Sequence, residues 1–253
     1  MVAPIGIIGG SGLYRMESLR IDRRVDVATP FGATSAPILL GELEGVPVAF
    51  LARHGERHTF LPSEVPARAN LWALKELGVE KVVSVSAVGS LQECHHPGEL
   101  RLVRQFIDRT VRREDTYFGH GLVAHVPFAD PVCPELTGLL LEAGKELGLP
   151  LEDGATYVCM EGPAFSSRAE SLLHRSWGAD LIGMTQSTEA KLARELELCF
   201  AVVAMVTDYD AWQEEAVDVA QVIAVMGANA GRVQALLARA ARRLAEAPRA
   251  CAC

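Results

Sequence analysis

Cys199-Phe200-Ala201-Val202-Val203-Ala204-Met205 runs directly into Val206-Thr207-Asp208-Tyr209-Asp210. Seven successive apolar residues predict a strand that is buried on both faces, as strands of parallel sheets are. Ligands of open α/β sheets bind beyond the carboxyl ends of the strands, which is where Asp208 and Asp210 stand. A partly buried carboxyl at that place can donate a proton or a hydrogen bond. Asp also favours N-caps and solvated turns, so this stretch alone leaves both interpretations open.

The composition limits the classes of protein to which the chain can belong. Its 253 residues are 49% hydrophobic, and no linker or internal repeat divides them,. The formal net charge of −8 argues against binding to nucleic acid or to a membrane surface, so an anionic substrate needs a local cluster of donors,. The sequence shows neither a basic and apolar leader nor a run of about 18 apolar residues. We therefore expect one cytoplasmic domain over residues 1–253, without a membrane span.

Strands and helices alternate along the chain, which predicts an α/β fold with a central mixed β-sheet flanked by helices. The predicted strands cover residues 4–9, 37–43, 46–51, 81–90, 154–160, 179–184 and 199–205. The predicted helices cover residues 63–78, 134–147, 167–177, 186–197 and 217–247. Ser63 is the expected N-cap of the first helix, and Gly227 is a possible break in the last. The stretch 91–131 is irregular, which is typical of an active-site lid or a subunit contact.

Most predicted strands end in residues that can bind a ligand, and these residues form two sets. The donors and cations that suit a phosphate are Ser11, Arg53, His54, Ser86 and Thr185,. The residues that suit an aromatic heterocycle with hydrogen-bonding nitrogens are Phe165, Met184, Asp208 and Asp210,. Ser11 lies in Gly9-Gly10-Ser11-Gly12-Leu13, whose glycines let backbone N–H groups point into one concavity. A plain tight turn there, a solvated basic loop after residue 52 and a core position for Phe165 are the structural alternatives.

The cysteine and histidine residues give no pattern that predicts a metal site. Cys94, Cys133, Cys159 and Cys199 lie in separate segments without zinc-like spacing, and we expect buried, small hydrophobic residues,. No carboxylate or cysteine stands at a helpful distance from His120 or His125. The segment 248–253, which we call the Cys-x-Cys segment, carries two thiols one residue apart. They can form a redox pair or a strained local disulfide, or they can have no role.

Six stretches together resemble the trimeric purine nucleoside phosphorylase family, and in particular its members that cleave methylthioadenosine. These stretches are Gly9–Leu13, Ala52–Gly55, Asn70–Lys75, Glu161–Pro163, Phe165–Glu170 and Met205–Trp212. The resemblance covers nearly the whole chain in order. It implies a single nucleoside phosphorylase-like domain that cleaves a glycosidic bond with inorganic phosphate as co-substrate, without a metal or a cofactor. It also implies a homotrimer, or a dimer of two such trimers.

The resemblance implies a role for each matching position. Phosphate would be held by Ser11, Arg53, His54, Ser86, Ala87 and Thr185. The nucleoside would be bound by Phe165, Ser166, Met184, Asp208, Tyr209 and Asp210. Asp208 would act as the catalytic group at purine nitrogen 7, and Asp210 would read the amino edge of the base. Ser166 and Val219 would set specificity, Val219 by favouring a 5′-methylthio group over a hydroxyl.

Some features of the resemblance leave room for other functions. His125 is similar to a residue that reaches into the 5′ pocket of a neighbouring subunit, and the Cys-x-Cys segment is similar to a redox pair of thermophilic members. Ala164 stands where the family usually has Arg, and Gln186 lies in a stretch that departs from the usual one, so the base preference can differ. The alternatives are a phosphorylase for inosine, guanosine or methylthioinosine, and a non-catalytic binding module on the same fold.

Overall fold

The computed structural model describes residues 3–10, 13, 18–213 and 219–253, with the side chains of Val219 and Gln221 excepted. Its strands are β1 (Ile5–Gly9), β2 (Leu19–Val25), β3 (Ile38–Leu43), β4 (Val46–Ala52), β5 (Lys81–Ser90), β6 (Leu100–Asp108), β7 (Leu151–Cys159), β8 (Leu181–Gly183) and β9 (Cys199–Asp208). Its helices are α1 (Ala67–Glu76), α2 (Pro134–Glu146), α3 (Arg168–Ser176), α4 (Gln186–Glu195) and α5 (Val219–Glu246), with a short 3₁₀ turn at Asp210–Trp212. The predicted α/β class with a mixed, helix-flanked sheet is therefore confirmed.

The sheet has the order β2-β3-β4-β1-β5-β8-β7-β6-β9, and β9 also pairs with β5. Because β9 pairs with both β6 and β5, the last five strands in this order form a closed ring. Strand β9 runs antiparallel to β6 and parallel to β5. The hairpin β3–β4 has its turn at Glu44-Gly45, as predicted. Among the described residues, no helix combines the length and the apolar character that a membrane span requires.

Strand β9 is buried on both faces, as its apolar run predicts. Its alternate residues belong to two separate cores, one beneath α1 and α4 and the other beneath α2 and α5. The first core takes Phe200, Val202, Ala204 and Val206, and the second takes Cys199, Ala201, Val203 and Met205. Layers of helices thus cover both faces of the sheet, and the strand ends are left to carry polar groups.

Four sequence predictions differ from the structure. Helix α1 begins at Ala67 and not after Ser63, because Pro66 disfavours a helical backbone at the residue before it,. Strand β2 was missed because it is a charged edge strand, and β6 because its charges conceal the apolar pattern,. Within β6, Arg101 is buried and paired with Glu99. Helix α5 continues through Gly227, since one glycine costs about 1 kcal/mol without ending a helix,.

Candidate active site

The carboxyl end of β9 carries a turn that we call the acidic turn (Asp208, Tyr209 and Asp210). The pairing of β5 with β9 shifts register where Gly89 lies opposite Asp208, so Thr207 is an extra residue on β9,. The Asp208 carboxylate accepts a hydrogen bond at Oδ1 from the Asp210 N–H (2.8 Å) and one at Oδ2 from the Thr207 hydroxyl (2.7 Å). A Cβ on Gly89 would stand 3.0 Å from Asp208 Oδ1. The glycine therefore lets this carboxyl lie against the end of β5.

The environment of Asp208 makes its protonated form more stable than that of an ordinary aspartate. Burial raises the pKa of Asp208, and the neighbouring Asp210 charge adds to that rise. The hydrogen bonds from Thr207 and from the Asp210 backbone lower the same pKa, but less than burial raises it. A carboxyl with a raised pKa is suited to hold a proton and to donate it.

Asp210 is buried and held in an unusual backbone conformation. Its φ of 50° lies in the left-handed region, which is uncommon for a residue other than glycine,. Its Oδ2 atom is buried and has no hydrogen-bond partner among the described residues. Beside it, Trp212 fixes the turn by donating its indole N–H to the Ser90 carbonyl (2.8 Å). Tyr209 is half-buried, with its hydroxyl 2.6 Å from His96 Nδ1.

A second group, which we call the basic cluster (Arg53, His54, Ser86 and Thr185), lies just beyond the ends of β4 and β8 and within the second half of β5. Arg53 is only 1% exposed, and its guanidinium donates to both carboxylate oxygens of Glu189 at 2.5 and 3.2 Å. It also donates to Ser84 Oγ (2.5 Å) and to the Val85 carbonyl (2.9 Å). Because the pair is almost completely buried, the guanidinium is held in one orientation.

His54 is buried beside Arg53 and is a neutral imidazole at pH 7. Its Nδ1 donates to the Phe60 carbonyl (2.9 Å), which leaves Nε2 as the acceptor nitrogen,. Burial is the main cause that lowers the pKa of His54 to about 4, followed by the charge of Arg53. The ring stacks on His58 with 4.7 Å between centroids. The hydrogen bond to Phe60 fixes the tautomer and thereby the direction of Nε2.

Ser86 and Thr185 both lie close to buried Tyr157. The Thr185 N–H donates to the Tyr157 hydroxyl (3.5 Å). Burial raises the pKa of that hydroxyl, and the nearby Ser86 side chain offsets part of the rise. Gly10 approaches the same place, because a Cβ on it would stand 2.4 Å from Arg53 Nη1. Ala87 follows on β5 and is half-buried. These contacts bring together every predicted phosphate-binding residue except Ser11, which lies outside the described residues.

The remaining predicted residues differ in their exposure. Ser166 is buried, with its hydroxyl 3.7 Å from Met160 Sδ, whereas the Phe165 ring is 51% exposed, so the core alternative for Phe165 is wrong. Met184 is half-buried against Gly162, where a Cβ would stand 2.5 Å from its Sδ. His125 is exposed, and the side chain of Val219 lies outside the described residues.

Three side chains that the sequence reasoning did not assign complete the basic cluster: Glu189, Ser84 and Tyr157. Glu189 stands four residues after Thr185, one turn into α4, and this helical spacing was a usable signal,. The two residues that depart from the family pattern, Ala164 and Gln186, differ in burial. Ala164 is exposed, whereas Gln186 is buried and its Oε1 has no partner among the described residues.

Strand β5 connects the basic cluster with the acidic turn. It carries Ser86 and Ala87 beside the former and Gly89 against Asp208. Ser86 and Gly89 are three residues apart, which corresponds to about 10 Å along a strand. A cation and neutral donors thus lie beside one part of β5, and a carboxyl with a raised pKa lies against its carboxyl end.

Comparisons with known proteins show the family to which the chain belongs. The profile of the phosphorylase superfamily matches residues 4–242. The chain is 56% identical over 232 residues to S-methyl-5′-thioadenosine phosphorylase of Koribacter versatilis (strain Ellin345), covering 91% of this chain and 80% of the relative. It is 51% identical over 249 residues to the enzyme of the same name from Pyrococcus furiosus, covering 98% and 95%.

Solved structures of similar proteins superpose over nearly the whole chain. A methylthioadenosine phosphorylase from an antarctic soil metagenomic library has a TM-score of 0.92 at 50% identity, covering 98% of this chain and 88% of that one. A mutant of adenosine/methylthioadenosine phosphorylase from Schistosoma mansoni, in complex with methylthioadenosine, has a TM-score of 0.93 at 34% identity, covering 96% and 92%. The chain therefore belongs to the phosphorylase superfamily, and within it to the S-methyl-5′-thioadenosine phosphorylases.

Proposed function

We propose that the protein cleaves S-methyl-5′-thioadenosine with inorganic phosphate, giving adenine and 5-methylthioribose 1-phosphate. In this reaction a phosphate oxygen bonds to the anomeric carbon, the carbon–nitrogen bond to the base breaks, and its electron pair stays on the purine. The observation that carries the proposal is that one strand serves both groups: Ser86 of the basic cluster lies about 10 Å along β5 from Gly89, against which Asp208 packs,. This spacing leaves room for a ribose between a phosphate and a base.

The basic cluster binds and aligns phosphate in this proposal. Arg53 supplies a fixed positive charge, Ser86 and Thr185 supply hydroxyl donors, and the backbone of Ala87 lies beside them. The family resemblance adds the hydroxyl of Ser11 as a further donor. Neutral His54 presents Nε2 as an acceptor, which suits a phosphate that still carries a proton,. Holding the nucleophile without its water shell removes part of the entropic and solvation barrier.

Asp208 assists departure of the base. Glycosyl transfer passes through an oxocarbenium-like transition state in which negative charge develops on the leaving purine. A proton or hydrogen bond given to purine nitrogen 7 neutralises that charge, and the raised pKa of Asp208 keeps a proton available,. The hydrogen bonds from Thr207 and Asp210 hold the carboxyl in place during the step.

The base and the 5′ group are recognised by the remaining residues. Ionised Asp210 is an acceptor only, so it favours the amino group of a 6-aminopurine over a 6-oxo group. Phe165, Ser166 and Tyr209 surround the base, Met184 contacts the ribose, and Val219 favours an apolar 5′ substituent. Buried Oδ2 of Asp210, which lacks a partner among the described residues, supports the amino-group assignment.

The assembly and the cellular role are also proposals. A homotrimer, or a dimer of two such trimers, would place His125 in the 5′ pocket of a neighbouring subunit. In support, the stretch around His125 exposes apolar Leu122, Val123 and Val126. The enzyme would act in the cytoplasm in purine and methionine salvage, with phosphate as co-substrate and without a metal or cofactor in the reaction.

The test is base release from methylthioadenosine, adenosine, methylthioinosine and inosine at equal concentration, with and without phosphate. We expect methylthioadenosine to be preferred, with adenosine lower in kcat/KM by about 10- to 200-fold because an apolar 5′ pocket discriminates modestly. A preference for a 6-oxopurine would show that the roles of Asp208 and Asp210 are wrong. No phosphorolysis of any substrate would favour the binding module.

A further inference from the structure

Four cysteines that are distant in sequence meet at the end of the sheet opposite the acidic turn. Sγ atoms of Cys133, Cys199, Cys251 and Cys253 all lie within 4.8 Å of one another. Cys199 is the first residue of β9 and Asp208 is its last, so the cluster is about 30 Å from the catalytic carboxyl,. This group, which we call the cysteine cluster, therefore lies outside the active site.

The cluster draws its members from three parts of the fold. Cys133 is the N-cap of α2 and is buried, Cys199 opens β9 and is buried, and the two half-buried cysteines belong to the Cys-x-Cys segment. All four are free thiols. Cys94, in contrast, is exposed and far in sequence, so its predicted burial is wrong.

The sulfur positions suit one tetrahedral ion. With metal–sulfur bonds of about 2.3 Å, the sulfurs of a tetrahedral zinc site are about 3.8 Å apart. The four sulfurs lie within 4.8 Å of one another, and those of Cys199 and Cys251 are 3.2 Å apart, so the observed separations bracket that value. Disulfides would join sulfurs two at a time, whereas here all four converge on one point.

The surroundings favour thiolates and hold the segment in place by other contacts. The Leu136 N–H, at the start of α2, donates to Cys133 Sγ (3.4 Å), and the positive charge of Arg249 lies near the Cys199 thiol. Arg249 also donates to the Glu197 carbonyl (2.6 Å), and Arg194 donates to the Ala252 carbonyl (3.3 Å). Such cations offset the net negative charge of a tetrathiolate site. The Cys-x-Cys segment is therefore held in part by contacts that do not involve the sulfurs.

We propose that Cys133, Cys199, Cys251 and Cys253 bind one zinc ion as a structural tetrathiolate site. Four thiolates leave no open coordination position, which is the mark of a structural rather than a catalytic zinc site. Soft thiolate ligands in a tetrahedral set favour zinc over hard cations such as magnesium. A cavity of about 310 Å³ lined by Cys251 and Cys253, together with Arg104 and Arg194, gives the ion a path from solvent,. The ion would tie the Cys-x-Cys segment to the starts of β9 and α2.

The test is zinc content and thiol content of the full chain, purified in reducing buffer without chelator. We expect one zinc per chain, released by a mercurial reagent, and all six cysteines reactive after denaturation with chelator. Absence of zinc with six reactive thiols would overturn the proposal in favour of packed thiols. Absence of zinc with fewer reactive thiols would overturn it in favour of the disulfide or redox interpretation of the Cys-x-Cys segment.

The matched variants are Cys251→Ser/Cys253→Ser and, as control, Cys94→Ser. We expect the double variant to lose zinc by at least about tenfold while the control keeps it, since binding requires all the ligands. Chelator should lower the Tm of the wild type and of the control but leave that of the double variant unchanged. Unchanged zinc content in the double variant would refute the site.

Cobalt binding can be measured on the wild-type protein, so this test does not require that a variant folds. Cobalt added to the zinc-free wild type should produce the intense thiolate-to-metal absorption of a tetrathiolate complex, which zinc then displaces. A cobalt spectrum without thiolate bands would contradict the proposal.

Discussion

The basic cluster and the acidic turn occupy the ends of strands in the same sheet, but they are held in different ways. The Arg53 guanidinium is almost wholly buried and makes four hydrogen bonds within the chain, two of them to Glu189. At the acidic turn, the Asp210 Oδ2 atom is buried without a partner among the described residues, and the Phe165 ring nearby in the proposed site is half exposed.

The two groups therefore differ in how far their geometry is fixed before a ligand binds. The cluster that would hold phosphate is completed by residues from β4, β5 and α4 of one chain, so its geometry is set by folding. The acidic turn leaves polar and aromatic surface for a ligand to pair with, which is where substrate preference would be decided. The following predictions test whether the two groups are independent in this sense.

The largest expected effect is from Asp208→Asn, which acts on the acidic turn. The amide keeps the size of the side chain but removes the proton donor, so we expect kcat to fall by about 10²- to 10⁴-fold with methylthioadenosine. The KM for phosphate should stay nearly unchanged, because the basic cluster is intact. Steady-state kinetics with both substrates varied gives these values.

The pH profile shows whether Asp208 acts as the acid. The raised pKa means that the protonated form persists to higher pH, and kcat should decline as pH rises past that pKa,. This alkaline decline should be absent from the Asp208→Asn profile. An Asp208→Asn variant that loses activity but keeps the decline would assign the titration to another group.

The second prediction breaks the basic cluster. Glu189→Gln removes the carboxylate whose side chain is 3% exposed and leaves the Arg53 charge buried without a counter-ion. We expect the free energy of unfolding to fall by about 3–5 kcal/mol in urea denaturation. Phosphate should raise the Tm of this variant more than that of the wild type, since it replaces the missing negative charge.

Glu146→Gln is the matched control for this prediction. Glu146 also pairs with an arginine, Arg243, but its side chain is 40% exposed. Its replacement should cost at most about 1 kcal/mol. Equal losses in the two variants would mean that burial of the Arg53–Glu189 pair does not determine its contribution.

Periodic and punctuated segments of the fold could be predicted from the sequence. The apolar run of β9 and the glycine stop of α1 at Gly78 (φ 84°) are local signals that the packing does not overturn. Strand β6 could not be predicted, because buried Arg101 is neutralised by Glu99 and Glu152, and Glu152 lies 51 residues away. When only the sequence is considered, buried charged residues whose partners are distant in the chain resemble the charged residues of an exposed loop.

The site shows the same limit. Arg53, Ser86 and Asp208 could be chosen as candidates because they lie at or near the ends of predicted strands. The contacts of Glu189 and Tyr157 depend on how α4 and β7 pack, which the sequence pattern does not show. The spacings of the four cysteines along the sequence match no zinc motif. They meet only because the fold brings together the start of α2, the start of β9 and the Cys-x-Cys segment. The role of every site residue stays a prediction, and for Ser11 and Val219 the placement of the side chain does too, since the described residues do not include these side chains.

The smallest expected effect concerns the pH dependence of stability and tests whether His54 is buried as a neutral ring. The unfolded chain binds a proton at His54 near pH 6.5 and the folded chain near pH 4, so the unfolded state holds more protons between these values. Stability therefore rises with pH across this window and is lost as pH falls, by about 3 kcal/mol in total for this residue. His54→Gln, which can still donate to the Phe60 carbonyl, should remove that part of the slope.

His58→Gln is the control, because His58 stacks on His54 but is exposed. This variant should keep most of the slope between pH 4 and pH 6.5, and urea denaturation at several pH values measures both. If the two variants change the slope equally, the basic cluster is open to water at His54. Only Arg53 would then differ from the acidic turn in being fixed before a ligand binds. The preorganised part of the basic cluster would be limited to the pair that Arg53 makes with Glu189.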